Sequence, residues 1–417
     1  MWFPNLRVRQ RSHTWSGVTA ASRPRRARKF GLRALEGLED RALMSHGPHG
    51  HLAARALMSH GPHGHLAAAV VPMPTTFVQT NLVSDQASVG ATTTDPDLVN
   101  PWGIVHTATS PWWVSDNNSG VSTLYNGNTG AKLGLTVTIP SPTAATGGTP
   151  TGIVANTNSS EFLVHDAGTS AHFIFATEDG TIAAWNAGTS AVIKVDNSTN
   201  PSPKKGAVYK GLALASNNGA DYLYATNFRA GTIDVFDSSF HQVTLGSGAF
   251  PGTFRDNHIP QSFAPFGIAN IGGDLFVTYA KQDSAKHDDV AGLGRGFIDE
   301  FDPSGNLIQR VATKGTLNSP WGLAVAPKSF GTFAGDLLVG NFGDGHINAF
   351  TFPTAQSPGF QFAGQLSDPS GNPITIDGLW GLGVGNDGAA GPSTTLFFSA
   401  GPDGETHGLF GTLTRST

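Results

Sequence analysis

A glycine preceded by a larger residue and followed by Ile or Leu returns six times along this chain. The copies are Trp102-Gly103-Ile104, Thr151-Gly152-Ile153, Lys210-Gly211-Leu212, Phe266-Gly267-Ile268, Trp321-Gly322-Leu323 and Trp380-Gly381-Leu382. Their glycines stand 49, 59, 56, 55 and 59 residues apart. A period of this size carried by β-type sequence marks radial repetition, each unit forming one blade of a propeller. Composition agrees: 53 Gly, 26 Phe and only 13% charged residues make a turn-rich, aromatic chain poor in helix formers. A propeller keeps this length in one domain, where length alone suggests two or three.

Each repeat has the same internal order. In the third, residues 211–214 read as a small inner strand, 222–226 as a second, and 231–237 as a third with period-two alternation; 241–245 supply a fourth. Asn, Gly and Asp occupy the turns, as tight hairpins require. The third strands carry an aromatic five residues after a glycine, in the pairs Gly120/Tyr125, Gly180/Trp185, Gly231/Phe236, Gly296/Phe301 and Gly345/Phe350. These rings are predicted to fill the wedges between blades. The sixth repeat supplies three strands, 379–382, 395–399 and 408–413, whereas 77–83 precede the first repeat without a blade of their own. The expected fold is an all-β, six-bladed β-propeller with four-stranded blades. An N-terminal strand completes the last blade and covers its bare edge.

Charge is unevenly spread. Residues 1–68 hold 11 Lys/Arg against three acids, and the remainder 14 against 27. An acidic body disfavours nucleic acid or an anionic membrane as partner. With no cysteine, disulfides, zinc–thiolate sites and thiol catalysis are excluded. No apolar stretch approaches the roughly 20 residues that span a bilayer. Residues 41–54 recur unchanged as 55–68, placing His46, His49, His51, His60, His63 and His65 in one tract. Imidazoles so close together can bind zinc, nickel or copper. Gly47-Pro48 and Gly61-Pro62 deny them a fixed geometry, and a slipped duplication in a linker explains the tract as well.

Residues 35–45, LEGLEDRALMS, resemble the LExLEDRxLxS signature near the N-terminus of many large exported bacterial proteins, with Met44 where Leu is usual. That resemblance implies export, to an extracellular, periplasmic or cell-surface location. The blade pattern is similar to NHL-type propellers. Nearly all of 76–413 resembles an uncharacterised family of exported bacterial propeller proteins, through segments such as 97–104 (DLVNPWGI), 175–182 (FATEDGTI), 286–292 (KHDDVAG), 338–345 (LVGNFGDG) and 377–382 (DGLWGL). The family brings a fold and no activity. The expected organisation is a basic export-associated segment over 1–45, a disordered His-rich linker over 46–75 and the propeller over 76–417.

In a propeller blade the inner strand starts, and the second strand ends, on one face of the disc. The second-strand ends read as Asp116, Glu178, Asn227, Lys281 and Asn341, and the inner-strand starts as Asn100, Asn318 and Asp377. Asp116, Glu178, Asn227 and Asn341 are the candidate metal ligands, because oxygen donors converging from separate blades suit Ca²⁺, which takes six to eight of them. Asn100, Lys281, Asn318 and Asp377 are candidates for a ligand-binding channel mouth. Asp and Asn also stabilise turns through local backbone bonds, so a structural ring remains open. The loop 281–296 between the second and third strands of blade four is long and polar. Its His287, Asp288 and Asp289 are candidate general bases or ligands. The glycines of 292–296 precede a strand, not a helix, which rejects a nucleotide fingerprint.

The leading expectation is an exported, monomeric binding or scaffold module with no transmembrane segment. Its partner would be an extracellular ligand or surface component at the mouth and the blade-four loop. The alternative is a calcium-dependent hydrolase of small esters or lactones at the same mouth.

Overall fold

The structure, a computed structural model, describes residues 75–165, 168–202 and 204–417. The expected segments 1–45 and 46–75 lie outside the described residues, apart from Thr75. Six blades form a ring. Their inner strands are Pro101–Val105, Pro150–Ala155, Tyr209–Asn217, Phe263–Ile271, Pro320–Val325 and Leu379–Val384, and each begins an antiparallel meander toward the rim. In blade three the fourth place is held by residues 241–245, through a bridge between Phe236 and Gln242 and the bond from Val243 N to Val235 O at 2.9 Å. Among the described residues no helix is long and apolar enough to cross a membrane.

The ring closes as the unpaired N-terminal segment predicts. Strand Phe77–Ser84 lies antiparallel to Leu409–Arg415, from Phe77 opposite Arg415 to Ser84 opposite Leu409. Phe77 is fully buried, with its ring 4.7 Å from that of Phe330 in blade five. The borrowed strand thus covers the edge of blade six and anchors it to its neighbour.

The apolar residues sort into one cluster per blade interface. The third-strand aromatics lie in these wedges: Tyr125 between blades six and one, Trp185 between one and two, Phe236 between two and three, Phe301 between three and four, and Phe350 between four and five. A seventh cluster occupies the axis. There Trp102, Phe266, Trp321 and Trp380, the residues preceding four of the six motif glycines, pack with Phe228 and Ala280. Trp102 stacks on Trp380 at 3.5 Å, and Trp321 meets both edge-on at 5.9 and 5.7 Å.

The glycine itself is needed for space. A Cβ on Gly103 would lie 2.6 Å from Thr151 O, and one on Gly381 would lie 2.7 Å from Trp102 O. Likewise Gly211 faces Phe266 O, Gly267 faces Trp321 O and Gly322 faces Trp380 O, while Gly152 faces the backbone of Gly211 and Leu212. Each glycine therefore packs against the backbone of the next blade's motif. The repeat is the hub of the wheel, where inner strands approach too closely for any side chain.

Candidate functional site

The residue before the motif glycine joins the axial cluster in four blades as Trp or Phe; in blade two it is Thr151, whose hydroxyl donates to Tyr209 O at 2.9 Å, and in blade three it is a lysine. Lys210 is 2% exposed and opens the inner strand Tyr209–Asn217. Its ammonium lies 5.0 Å from the Trp102 ring centroid and 5.9 Å from that of Phe228, close enough for cation–π attraction. It donates to Glu178 Oε1 from blade two and stands 3.5 Å from Asp288 Oδ1 of the blade-four loop. Burial pulls the amino group's pKa down, but the charge and hydrogen bond of Glu178 outweigh it and hold the pKa above its ordinary value.

Loop geometry delivers Asp288 to this point. Residues 282–289 form a small hairpin, with Gln282 bridged to Asp289, Asp283 N donating to Asp288 O at 2.8 Å and His287 N to Asp283 Oδ1 at 2.9 Å. The Gln282 amide pins the hairpin to Phe228 O in blade three. His287 Nδ1 is 2.7 Å from Asp288 Oδ1, and that bond, reinforced by Lys210, pulls the Asp288 carboxyl down to about 2. Burial pushes the pKa of Asp289 up.

Around this ion pair the mouth is acidic. Asn117 donates to Glu178 Oε2 at 2.9 Å. Asn100 donates to Glu405 Oε2 at 3.0 Å, and its Oδ1 accepts the Trp380 indole N–H at 2.9 Å. Burial, then the Glu178 charge, raises the Glu405 carboxyl above its ordinary value. Three carboxylic acids thus surround one lysine, above a floor of stacked indoles.

Of the residues singled out in the sequence, Glu178, Asp288, His287 and Asn100 come together here. Glu178, His287 and Asp288 present ligand atoms within 4.8 Å of one another. Asp116, Asn227 and Asn341 turn into their own blades. Asp116 Oδ2 accepts from Thr123 N at 3.0 Å and Thr123 Oγ1 at 2.7 Å; Asn227 donates to Asp234 at 2.9 Å; Asn341 donates to Asp344 at 3.0 Å and Thr316 O at 2.8 Å. The residue one step further along each of those strands, Asn117, Phe228 or Phe342, contacts the axis or Glu178 instead. Glu178 already sits in that phase because its hairpin is one residue tighter: Gly180 bonds back to Thr177, whereas Gly120, Gly231 and Gly345 bond back to Asp116, Asn227 and Asn341. Lys281 accepts from Val290 N through its carbonyl. Asn318 ties the blade-four loop to blade five, accepting from Gly292 N at 2.6 Å and donating to Asp344 at 3.1 Å. Asp377 accepts from Asp403 N at 2.8 Å. Sequence reasoning missed Lys210 and Glu405. The odd lysine in the column of residues preceding the motif glycine was a readable signal for the first, and nothing local marked the second.

The donor set decides which metal could fit. One imidazole and two carboxylates suit zinc or a similar transition ion better than calcium, which prefers oxygen throughout. Glu178 and Asp288 already hold the Lys210 ammonium, whose charge opposes a second cation between them.

No protein-family model matches the chain. It is 33% identical over 347 residues to an uncharacterized protein of Acanthamoeba polyphaga mimivirus, covering 82% of this chain and 81% of that protein. A second uncharacterized protein of the same virus is 32% identical over 344 residues, covering 80% of this chain and 85% of that protein. Among solved structures, virginiamycin B lyase from Staphylococcus aureus is similar at TM-score 0.46 and 15% identity, covering 82% of this chain and 99% of that one. The PQQ-bound aldose sugar dehydrogenase from Streptomyces coelicolor has TM-score 0.48 and 12% identity, covering 83% and 99%.

Proposed function

The chain belongs to the same family as these mimivirus proteins, and we propose that it works as an exported binding or scaffold module whose ligand meets the acidic channel mouth. The export part of this reading rests on the signature at 35–45. The observation that carries the binding part is the placement of Glu178, Asp288 and Glu405 around a single buried lysine, over an aromatic floor. Excess negative charge in a partly dry, preorganised setting favours a ligand with a positive group. Burial and the Glu178 charge raise the Glu405 carboxyl above its ordinary value, and a cation arriving beside it would favour the charged form.

Calorimetric titration with an arginine-rich peptide tests this. Binding should weaken at least tenfold in Glu405→Gln. Equal affinity of Glu405→Gln and the parent chain would sink the reading.

One observation favours a second reading, a metal-dependent hydrolase: the approach of Glu178, His287 and Asp288. Titration with zinc and with calcium separates the two. Tight zinc binding abolished by Glu178→Gln, with zinc-dependent hydrolysis of a small ester, would support the hydrolase. Absence of both heat and thermal shift would remove it.

A further inference from the structure

Behind the indole plug the central channel is a blind well. It opens on the face opposite the mouth, where the inner strands end, and has a volume of 420 Å³. That lies within the about 300–1,000 Å³ usual for ligand sites. All six inner strands contribute to its wall. Ile104, Ile153, Leu212, Ile268, Leu323 and Leu382, the residues that follow the motif glycines, ring it, and Trp321 of the axial cluster forms its floor. The repeat that brings the backbones together at the hub therefore also lines this well with branched aliphatic side chains.

The two ends of the channel differ in charge. Among the described residues no Asp, Glu, Lys or Arg lines the well, whereas carboxylic acids and a lysine crowd the mouth. At the rim, polar side chains are already spent on backbone. One ring nitrogen of His106 lies 2.8 Å from Thr107 O and the other 2.7 Å from Val384 O, while Asn270 donates to Leu214 O at 2.9 Å. The Trp321 indole N–H goes to Lys210 O at 3.0 Å, which leaves its ring as an apolar floor. What remains free to bond is main chain: every inner strand stands at one end of its sheet, so its axial edge has no ladder partner. A charged ligand would lose its water here and find nothing to pair with. An uncharged ring compound has little hydration to lose and meets aliphatic walls on every side. An apolar cavity of about 150 Å³ holds benzene, so 420 Å³ has room for two or three fused rings.

We propose that this well binds a small, uncharged, mainly apolar ring compound carrying a hydroxyl or carbonyl group. The aliphatic ring encloses it, Trp321 meets its inner end, and the strand edges take its polar substituent. The site is independent of the mouth and of whatever binds there. Isothermal titration of the full chain with naphthol, and with naphthoate as a charged compound of the same ring size, tests it. Naphthol should bind at least tenfold more tightly than naphthoate. Ala155→Trp, half-buried on the wall, fills the well and should weaken naphthol binding at least tenfold. Leu214→Glu, half-buried near the rim, brings in a carboxylate and should weaken it by a similar factor. Thermal melts without ligand establish that each variant folds. The proposal is overturned if naphthol does not bind at about 1 mM. It is also overturned if naphthoate binds as tightly as naphthol, or if either folded variant binds naphthol as well as the parent chain does.

Discussion

Lys210 holds the mouth together, and its burial sets the size of the effect when it is removed. Lys210→Met leaves Glu178 without its counter-charge, and loss of one partner of a buried pair costs about 3–5 kcal/mol. Urea denaturation should show this loss, and adding Glu178→Gln should recover much of it. Two other acids have opposite pH signatures. Asp288 is held down at about 2, so its contribution is full above the ordinary carboxylate value and lost as pH falls toward 2. Melting curves of Asp288→Asn should approach those of the parent chain as pH drops through that window. Asp116 is fully buried, and burial raises its carboxyl well above the ordinary value, so the folded state keeps the proton longer than the unfolded chain does. Stability at this site therefore falls as pH rises past about 4. Asp116→Asn, which mimics the protonated acid, should gain on the parent chain between pH 4 and 7; a constant difference would contradict the assignment. These residues also show how far the sequence could be read. The ring of Asp and Asn was visible, but strand side chains alternate with period two, and one residue of hairpin length decides which of two neighbours faces the axis. Glu178 and Asp116 look equivalent in sequence and face different surroundings for that reason.

Among the elements, the inner strand is the most constrained, and the constraint is graded. A Cβ on Gly211 would find its nearest neighbour at 3.0 Å, whereas Gly267 would be driven into Trp321 O. Gly267→Ala should thus lose about 1–3 kcal/mol or more by overpacking, and Gly211→Ala clearly less. Paired thermal melts check the ranking, and a larger loss at Gly211 would refute the hub argument. The motif was the plainest thing in the sequence, yet its cause was not. The sequence already places these glycines in inner strands, and only the ring shows that two backbones touch there. The blade-four loop was legible by its length and polarity. Its reach to Lys210 and Glu178 was not, since no local pattern encodes a contact between blades.

For the whole molecule, blade number and closure followed from counting strands, because an unpaired strand at one end and a missing one at the other leave few alternatives. Internal deletion of residues 77–84 should uncover strand Leu409–Arg415, lower the melting temperature and promote aggregation, readable by light scattering. The deletion leaves the axial cluster formally intact, so a monomeric product with an unchanged melt would argue against closure as a source of stability. The same pairing also imposes an order in time. Ser84 donates to Gly408, 324 positions later. During synthesis the first strand therefore leaves the ribosome with its place in the sheet still unmade, and five blades can form before it has a partner. The ring therefore shuts only when strand Leu409–Arg415 has emerged, and a chain halted before it would leave the ring open.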